Sequence, residues 1–401
     1  MRIALLPDEY LPLGTRVHAR MFHELAVYLK SIGHHPIVIT PGTPSQNSRL
    51  IIDQVDDIEV WRFRAGYTRG VGMLRRAINE WLLPFRAWSA IKSRVKTDKF
   101  DLCINYAPTI FFGPLVHRFK RQGTYVYLIV RDMFPQWIID QGLIKEKSIA
   151  AYFFRYYEKL NYDISDTIGV QSQANLEVFF AKFPRYKNVK ILRNWAETSV
   201  LPLGKRNKKF KAHHNLKDKV IFFYGGNVGH AQDMRNIMRL AKNLRGLKKA
   251  YFLIIGQGDE FSLIQSLKNQ WKLNNVLILP SVSQTEFRSI LSVIDIGLFS
   301  LAYNHTAHNF PGKLLGYMVE SKPILGSVNP GNDLSGKINS SKAGFVFTNG
   351  DDKLLAKSAT MLVKDRNLRE KMGNNSRELL LKEFSVESAA MKILKSYNRG
   401  Y

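Results

Sequence analysis

Short, unbroken apolar runs recur along this chain, each followed by a longer segment whose apolar residues return at three- and four-residue spacing. "RIALLP" (2–7), "PIVIT" (36–40), "IEVWRF" (58–63), "LCINY" (102–106), "TYVYLIV" (124–130), "DTIGVQ" (166–171) and "VKILR" (189–193) form a first series. "VIFFYGG" (220–226), "AYFLIIGQG" (250–258), "VLILP" (276–280), "IDIGLFS" (294–300), "PILGS" (323–327) and "AGFVF" (343–347) form a second. Strands without a polar face need helices on both sides, the condition of a parallel sheet. The segments between them, such as 16–31, 73–95, 232–245 and 311–320, have the helical period. This alternation predicts an α/β chain of two doubly wound, Rossmann-like domains facing across a cleft, with ligands at the carboxyl ends of the strands. The expected boundaries are a first domain at 1–193, a linker at 194–218, a second domain at 219–383, and a final helix at 384–401 packing back toward the first domain.

Charge bears on partners rather than on fold. Lys and Arg outnumber Asp and Glu by 59 to 33 in the 401 residues, a formal +26. Nucleic acid, an anionic membrane face and phosphate-bearing ligands all fit that balance. The single cysteine, Cys103, excludes an internal disulfide framework and reads as a core residue of "FDLCINY". "MRIALLP" reads as a first strand rather than a targeting segment, and no apolar run is long enough to span a membrane. The basic stretch "LGKRNKKFKAHHNLKDK" (203–219) has the composition of a linker.

Three stretches carry chemistry. "FFYGGNVGHAQDM" (222–234) sets Gly225, Gly226 and Gly229 between a strand and a helix, where backbone N–H groups can approach an anion. It has neither the Gly-Lys-Ser/Thr of a Walker loop nor GxGxxG spacing. "YLPLGTRVHAR" (10–20) holds Gly14 at the corresponding position of the first domain, followed by Arg16, His18 and Arg20. In "NFPGKLLGYMVESKPILGS" (309–327), Lys313 begins a helix. A cation there opposes the helix dipole at a cost of roughly 0.3 kcal/mol or more, and is explained by an anion that accepts from both. No His, Cys or Asp grouping has metal-ligand spacing, so no metal and no cofactor is expected.

The segment "IDIGLFSLAYNHTAHNFPGKLLGYMVESKPILGS" resembles the sugar-nucleotide site of retaining GT-B glycosyltransferases, of the kind grouped as glycosyltransferase family 4. The resemblance extends over nearly the whole chain through "GTRVHARMFHELAVYLKSIGHHPIVIT", "YLIVRDMFPQWIIDQGLI", "YGGNVGHAQDM" and "EFSVESAAMKILKSY". "VRDMFPQW" and "DEYLPLGTRVHAR" are most similar to bacterial surface-polysaccharide enzymes, for O-antigen or capsule, of the N-acetyl-L-fucosaminyltransferase kind. It implies a first domain that binds the acceptor and a second that binds a nucleoside-diphosphate sugar, UDP-linked and possessing a sugar such as N-acetyl-L-fucosamine. Transfer would retain anomeric configuration without a metal, onto a lipid-linked saccharide. Gly226, Asn227 and Gly229 would face the donor diphosphate, and Lys313, with Leu314 beside it, would neutralise it. Ser281 and Val282 would meet the base, and Gly14 the donor sugar. Asp132 would stand near the reacting sugar as a catalytic group together with Lys313, and Arg16, His18 and Arg131 would contact acceptor or phosphate. The family's ribose-binding glutamate is replaced by Gly316; Glu320 lies one helical turn on, and His308 stands near a second usual glutamate position.

Residues 62–96 hold nine basic side chains, Arg69 among them, against Glu80 alone, with apolar residues at helical spacing. Arg75, Arg76, Trp81, Arg86 and Trp88 make this an amphipathic helix suited to an anionic membrane surface. The chain is thus expected to be cytoplasmic and peripheral on the inner face of the cell membrane, without nucleic acid as a partner. Two alternatives stay open: a nucleotide-sugar epimerase of the same fold, and a basic nucleic-acid-binding protein, which would lack any recognisable reading motif.

Overall fold

The computed structural model describes residues 1–14, 16–68, 70–107, 109–131, 133–140, 142–200, 208–305 and 310–398. They form two compact units, Met1–Arg193 with Val386–Tyr401, and Asn194–Ser385. The first holds β1 (Arg2–Leu6), β2 (His35–Pro41), β3 (Leu50–Val55), β4 (Ile58–Phe63), β5 (Leu102–Ala107), β6 (Tyr125–Val130), β7 (Thr167–Val170) and β8 (Val189–Ile191). Their order is β3-β4-β2-β1-β5-β6-β7-β8. β5 and β6 are buried at every residue, as strands covered on both faces must be.

All these neighbours are parallel except β3 and β4. The strand β3 is absent from the sequence-based series. It is an edge strand with no buried residue, returning through Asp56 and Asp57, both at positive φ (47° and 62°). Two residues with positive φ give a hairpin turn whose twist matches its strands.

The second unit holds β9 (Val220–Asn227), β10 (Ala250–Gln257), β11 (Val276–Leu279), β12 (Ile296–Ser300), β13 (Ile324–Val328) and β14 (Gly344–Thr348), in the order β11-β10-β9-β12-β13-β14. All pairs are parallel. The stretch 203–219, with a linker's composition, includes a helix at Lys208–His213. Its Phe210 is buried in the core of this unit, and Lys211 lies 3.3 Å from Asp295, so this part belongs to the folded body. Phe210 and Leu216, both buried in that core, anchor it.

The helix Met73–Thr97 runs without a break through Pro84. Leu83, Ala87, Ile91 and Val95 form its buried line. Each larger member contributes about 1.5–3 kcal/mol by leaving water. Trp88 packs against the same core beneath the Arg118 guanidinium, 5.3 Å from its ring, so it is turned inward and not offered to a membrane. Trp81 remains 39% exposed, and its indole N–H donates to Tyr157 Oη at 2.7 Å.

The final helix, Val386–Tyr397, belongs to the first unit. Tyr125 Oη donates to its Ser396 carbonyl at 2.9 Å, and the rings of Tyr125 and Tyr397 meet edge to face.

Candidate functional site

In each sheet the strand order reverses once, between β1 and β5 and between β9 and β12. Helices leave on opposite faces at such a point and open a crevice at the strand ends, where ligands of doubly wound sheets bind. The candidate residues gather at the carboxyl ends of β1 and β9.

At β9, Gly225 and Gly226 lie inside the strand rather than in a loop, paired with Ile255 and Gly256. Gly226 has φ +115°, which only glycine adopts without strain. A Cβ there would stand 3.9 Å from Lys313 Nζ, so the glycine backbone and the lysine ammonium border one space. Asn227 follows, exposed, its side-chain amide donating to Gln232 Oε1 at 2.8 Å. Gly229 is extended (φ −140°) and opens a short 3₁₀ turn, His230–Gln232, which separates the glycines from the helix Met234–Asn243. His230 Nδ1 lies 3.0 Å from Glu260, whose other oxygen accepts from Met234 N–H, so the turn is tied down from below.

Lys313 begins the helix Lys313–Val319, which is apolar almost throughout because it lies between the sheet and the rest of the core. Tyr317 fixes it: its hydroxyl donates to the carbonyls of Phe223 (3.1 Å) and Leu298 (3.0 Å), binding the helix to β9 and β12 together. The Lys313 ammonium is thereby enclosed without a hydrogen-bond partner, 3.3 Å above the centre of the Tyr224 ring. Burial pushes its pKa well below the ordinary lysine value. An aromatic face compensates part of a buried charge, about 2 kcal/mol when desolvated, and leaves the three N–H donors unused. Tyr224 escaped the sequence reading because a tyrosine in an apolar strand looks like packing.

At β1 the arrangement is closed. His18, buried in the first turns of the helix Val17–Ser31, lies 2.9 Å from Asp8 and 3.5 Å from Glu9, and its ring tilts against Tyr106 at 5.4 Å. Arg16, exposed, stands 3.9 Å from Glu9. A Cβ at Gly14 would press on the Glu9 side chain at 2.9 Å, so the glycine keeps Glu9 in this group. Arg131, at the end of β6, donates to Tyr106 Oη at 3.3 Å, while its carbonyl accepts from Gln171. Arg16, His18, Gly14 and Arg131 are therefore brought to one edge, with His18 held by carboxylates rather than open to an acceptor. Asp132 and His308 lie outside the described residues.

Residues 205–379 match the family described as Glycosyl transferases group 1. Over this stretch the chain is similar to group 1 glycosyltransferases. The chain is 27% identical over 329 residues to "Probable glycosyltransferase WbjE" of Pseudomonas aeruginosa, covering 80% of this chain and 79% of that one. Over 207 residues, half of each chain, it is 25% identical to WcaI of Escherichia coli K12, named for colanic acid biosynthesis glycosyl transfer. A sucrose-phosphate synthase structure from Thermosynechococcus elongatus superposes over 99% of this chain and 98% of its own, with a TM-score of 0.69 at 14% identity. The fold is GT-B.

The other expected donor contacts fall in different surroundings. Leu314 is fully buried and its N–H donates to Pro311 at 3.1 Å, so it supplies packing rather than a ligand contact. Ser281 is exposed just past β11, and Val282 packs on the core. Glu320 follows the last residue of the lysine's helix, about 10 Å along its axis from Lys313, too far to share one contact with it. Gly316 lies nearer, one turn after Lys313, and a Cβ there would meet Leu291 Cδ1 at 3.1 Å.

Proposed function

We propose that this glycosyltransferase moves a sugar from a nucleoside-diphosphate donor to a lipid-linked saccharide in bacterial surface-polysaccharide synthesis, with retention of anomeric configuration. The observation that carries the donor half is the enclosed, unpartnered Lys313 ammonium beside the Gly226 backbone. A donor diphosphate fills both needs: its oxygens accept from Nζ and from backbone N–H groups, and its charge favours the protonated lysine. As the glycosidic C–O bond breaks, negative charge grows on the leaving diphosphate, and a preorganised cation in a dry site stabilises it without reorganisation. Lys313 supplies that charge.

The polysaccharide setting is supported by WcaI, whose printed name refers to colanic acid. A UDP-linked N-acetylated 6-deoxyhexosamine such as N-acetyl-L-fucosamine is the donor we favour, on the resemblance of "VRDMFPQW" and "DEYLPLGTRVHAR". An acceptor carried on lipid goes with peripheral work at the inner membrane face. Titration calorimetry with UDP, followed by slow hydrolysis of a panel of nucleotide sugars, tests the proposal. Binding of UDP with release of sugar from one donor is the expected result, and absence of nucleotide binding overturns it.

A further inference from the structure

The long helix Met73–Thr97 has a second apolar line besides its buried one. Leu74 (77% exposed), Ile78 (49%), Trp81 (39%) and Phe85 (39%) follow one another at three- and four-residue steps on a side roughly opposite Leu83 and Ala87. The helix Ile149–Ile164 continues the surface with Ile149 (89%), Tyr152 (65%), Phe153 (41%) and Tyr156 (64%), again at helical steps. The Trp81–Tyr157 hydrogen bond and the Trp81–Phe85 and Tyr156–Tyr157 ring contacts join the two rows into one face. Eight large apolar side chains exposed together in one patch call for a partner.

A cavity of about 420 Å³ opens beside this face, and Phe85 lines both. Arg49, Arg64 and Arg86 also line it, with no acid among its lining residues. None of the three has an ion-pair partner among the described residues. The Arg64 backbone N–H donates to the Arg49 carbonyl at 2.9 Å, so the two side chains start from adjacent backbone positions. Three unpaired guanidiniums around one cavity match the oxygens of a phosphate group.

We infer that this face of the first unit seats in the headgroup layer of an anionic bilayer, its apolar rows among the upper acyl carbons and a lipid phosphate held by Arg49, Arg64 and Arg86. The charge favours this occupant over a second copy of the chain. The long helix carries six basic residues against Glu80, so pairing it with itself sets like charges together. The inference deepens the proposed peripheral setting. Its test reads lipid binding without turnover, so failure of the glycosyl-transfer reading leaves it untouched, and the reverse holds too.

Cosedimentation with vesicles of equal parts phosphatidylglycerol and phosphatidylcholine, against pure phosphatidylcholine, tests it. Wild type should pellet strongly with the mixed vesicles and only weakly with pure phosphatidylcholine, and raised salt should weaken the first without abolishing it, because apolar insertion is not screened. Arg49→Gln, Arg64→Gln and Arg86→Gln together should weaken partition roughly 100-fold, about fivefold per charge. Leu74→Glu with Ile149→Glu, at the two most exposed positions, should abolish the part that survives salt. Equal pelleting of wild type and both variants overturns the inference. So does full competition by dissolved glycerol phosphate, which marks a site for a free anion. Self-association lost in Ile149→Glu with lipid binding unchanged would assign the face to a second copy and overturn it as well.

Discussion

At the end of β1 a buried histidine lies between two carboxylates, whereas at the end of β9 a buried ammonium has only an aromatic face beneath it. Both positions are switch points of parallel sheets, and both hold a glycine beside a polar side chain. They differ in what is left over. His18 Nε2 lies within 3.5 Å of both carboxylates and Arg16 lies 3.9 Å from Glu9, so polar groups of opposite kind face one another there. Lys313 has no answering group, and a buried unpaired charge costs several kcal/mol unless a ligand completes it. On the proposed reading, the cluster at β1 orients a site and the end of β9 is the ligand pole.

Loss of turnover separates the two most widely. Lys313→Ala should lower transfer by about two orders of magnitude or more, the scale seen when one transition-state donor is removed. His18→Ala should act mainly through stability, so its remaining folded fraction should turn over within about tenfold of wild type. Steady-state rates normalised to folded protein check both. An unchanged Lys313→Ala rate would erase the contrast.

Stability should change with opposite sign at the two ends. Replacing His18 by Leu leaves Asp8 and Glu9 facing an apolar group and should destabilise by about 1–3 kcal/mol. Lys313→Met keeps the volume, removes the enclosed charge, and should stabilise the nucleotide-free protein by about 1–2 kcal/mol. Denaturant melts without nucleotide measure both. Destabilisation by Lys313→Met would mean that the Tyr224 face satisfies the ammonium on its own.

The Lys313 ionisation also gives a pH signature. Its pKa is lowered in the free protein by burial. A bound diphosphate raises it, so binding takes up a proton wherever the pH lies between the free and bound values. Nucleotide affinity should therefore fall as pH rises across that window, by up to tenfold per unit. Calorimetry of UDP in two buffers of different ionisation enthalpy reads the uptake directly; Lys313→Met should abolish it.

Much of this was written in residue patterns, and the remainder depended on context that spacing does not carry. Continuous apolar strands announced parallel sheets because both of their faces are covered. β3 was missed because this edge strand buries no residue and its apolar run is short, and its Asp56-Asp57 turn lacks the glycine that marks most tight hairpins. Lys313 was legible because a lysine at a helix start contradicts the helix dipole. Tyr224 beneath it was not, since cation and ring are 89 positions apart in the chain and meet only when the helix docks on β9. Trp81 and Trp88, seven residues apart, share a helical face in projection. The first half of their helix exposes its apolar line and the second half is buried, so only the neighbours separate them.

The smallest effect concerns Gly316, where the resemblance expects a ribose-binding glutamate. A carboxylate accepting from a ribose hydroxyl is worth about 1.5–3 kcal/mol. The Cβ that must carry it would stand 3.1 Å from Leu291 Cδ1, tighter than ordinary contact. Leu291 is itself 5% exposed and packed in the core of the second unit, so its retreat costs about 1 kcal/mol or more. Gly316→Glu alone should then tighten UDP binding by no more than about 30-fold. Combined with Leu291→Val, which shortens the obstructing side chain, the same glutamate should recover roughly another fivefold, while Leu291→Val alone leaves affinity unchanged. Calorimetry on the four proteins of this cycle decides the matter. Additive behaviour would show that Leu291 is not the obstacle and that the pocket at the ligand pole has been rebuilt around the glycine.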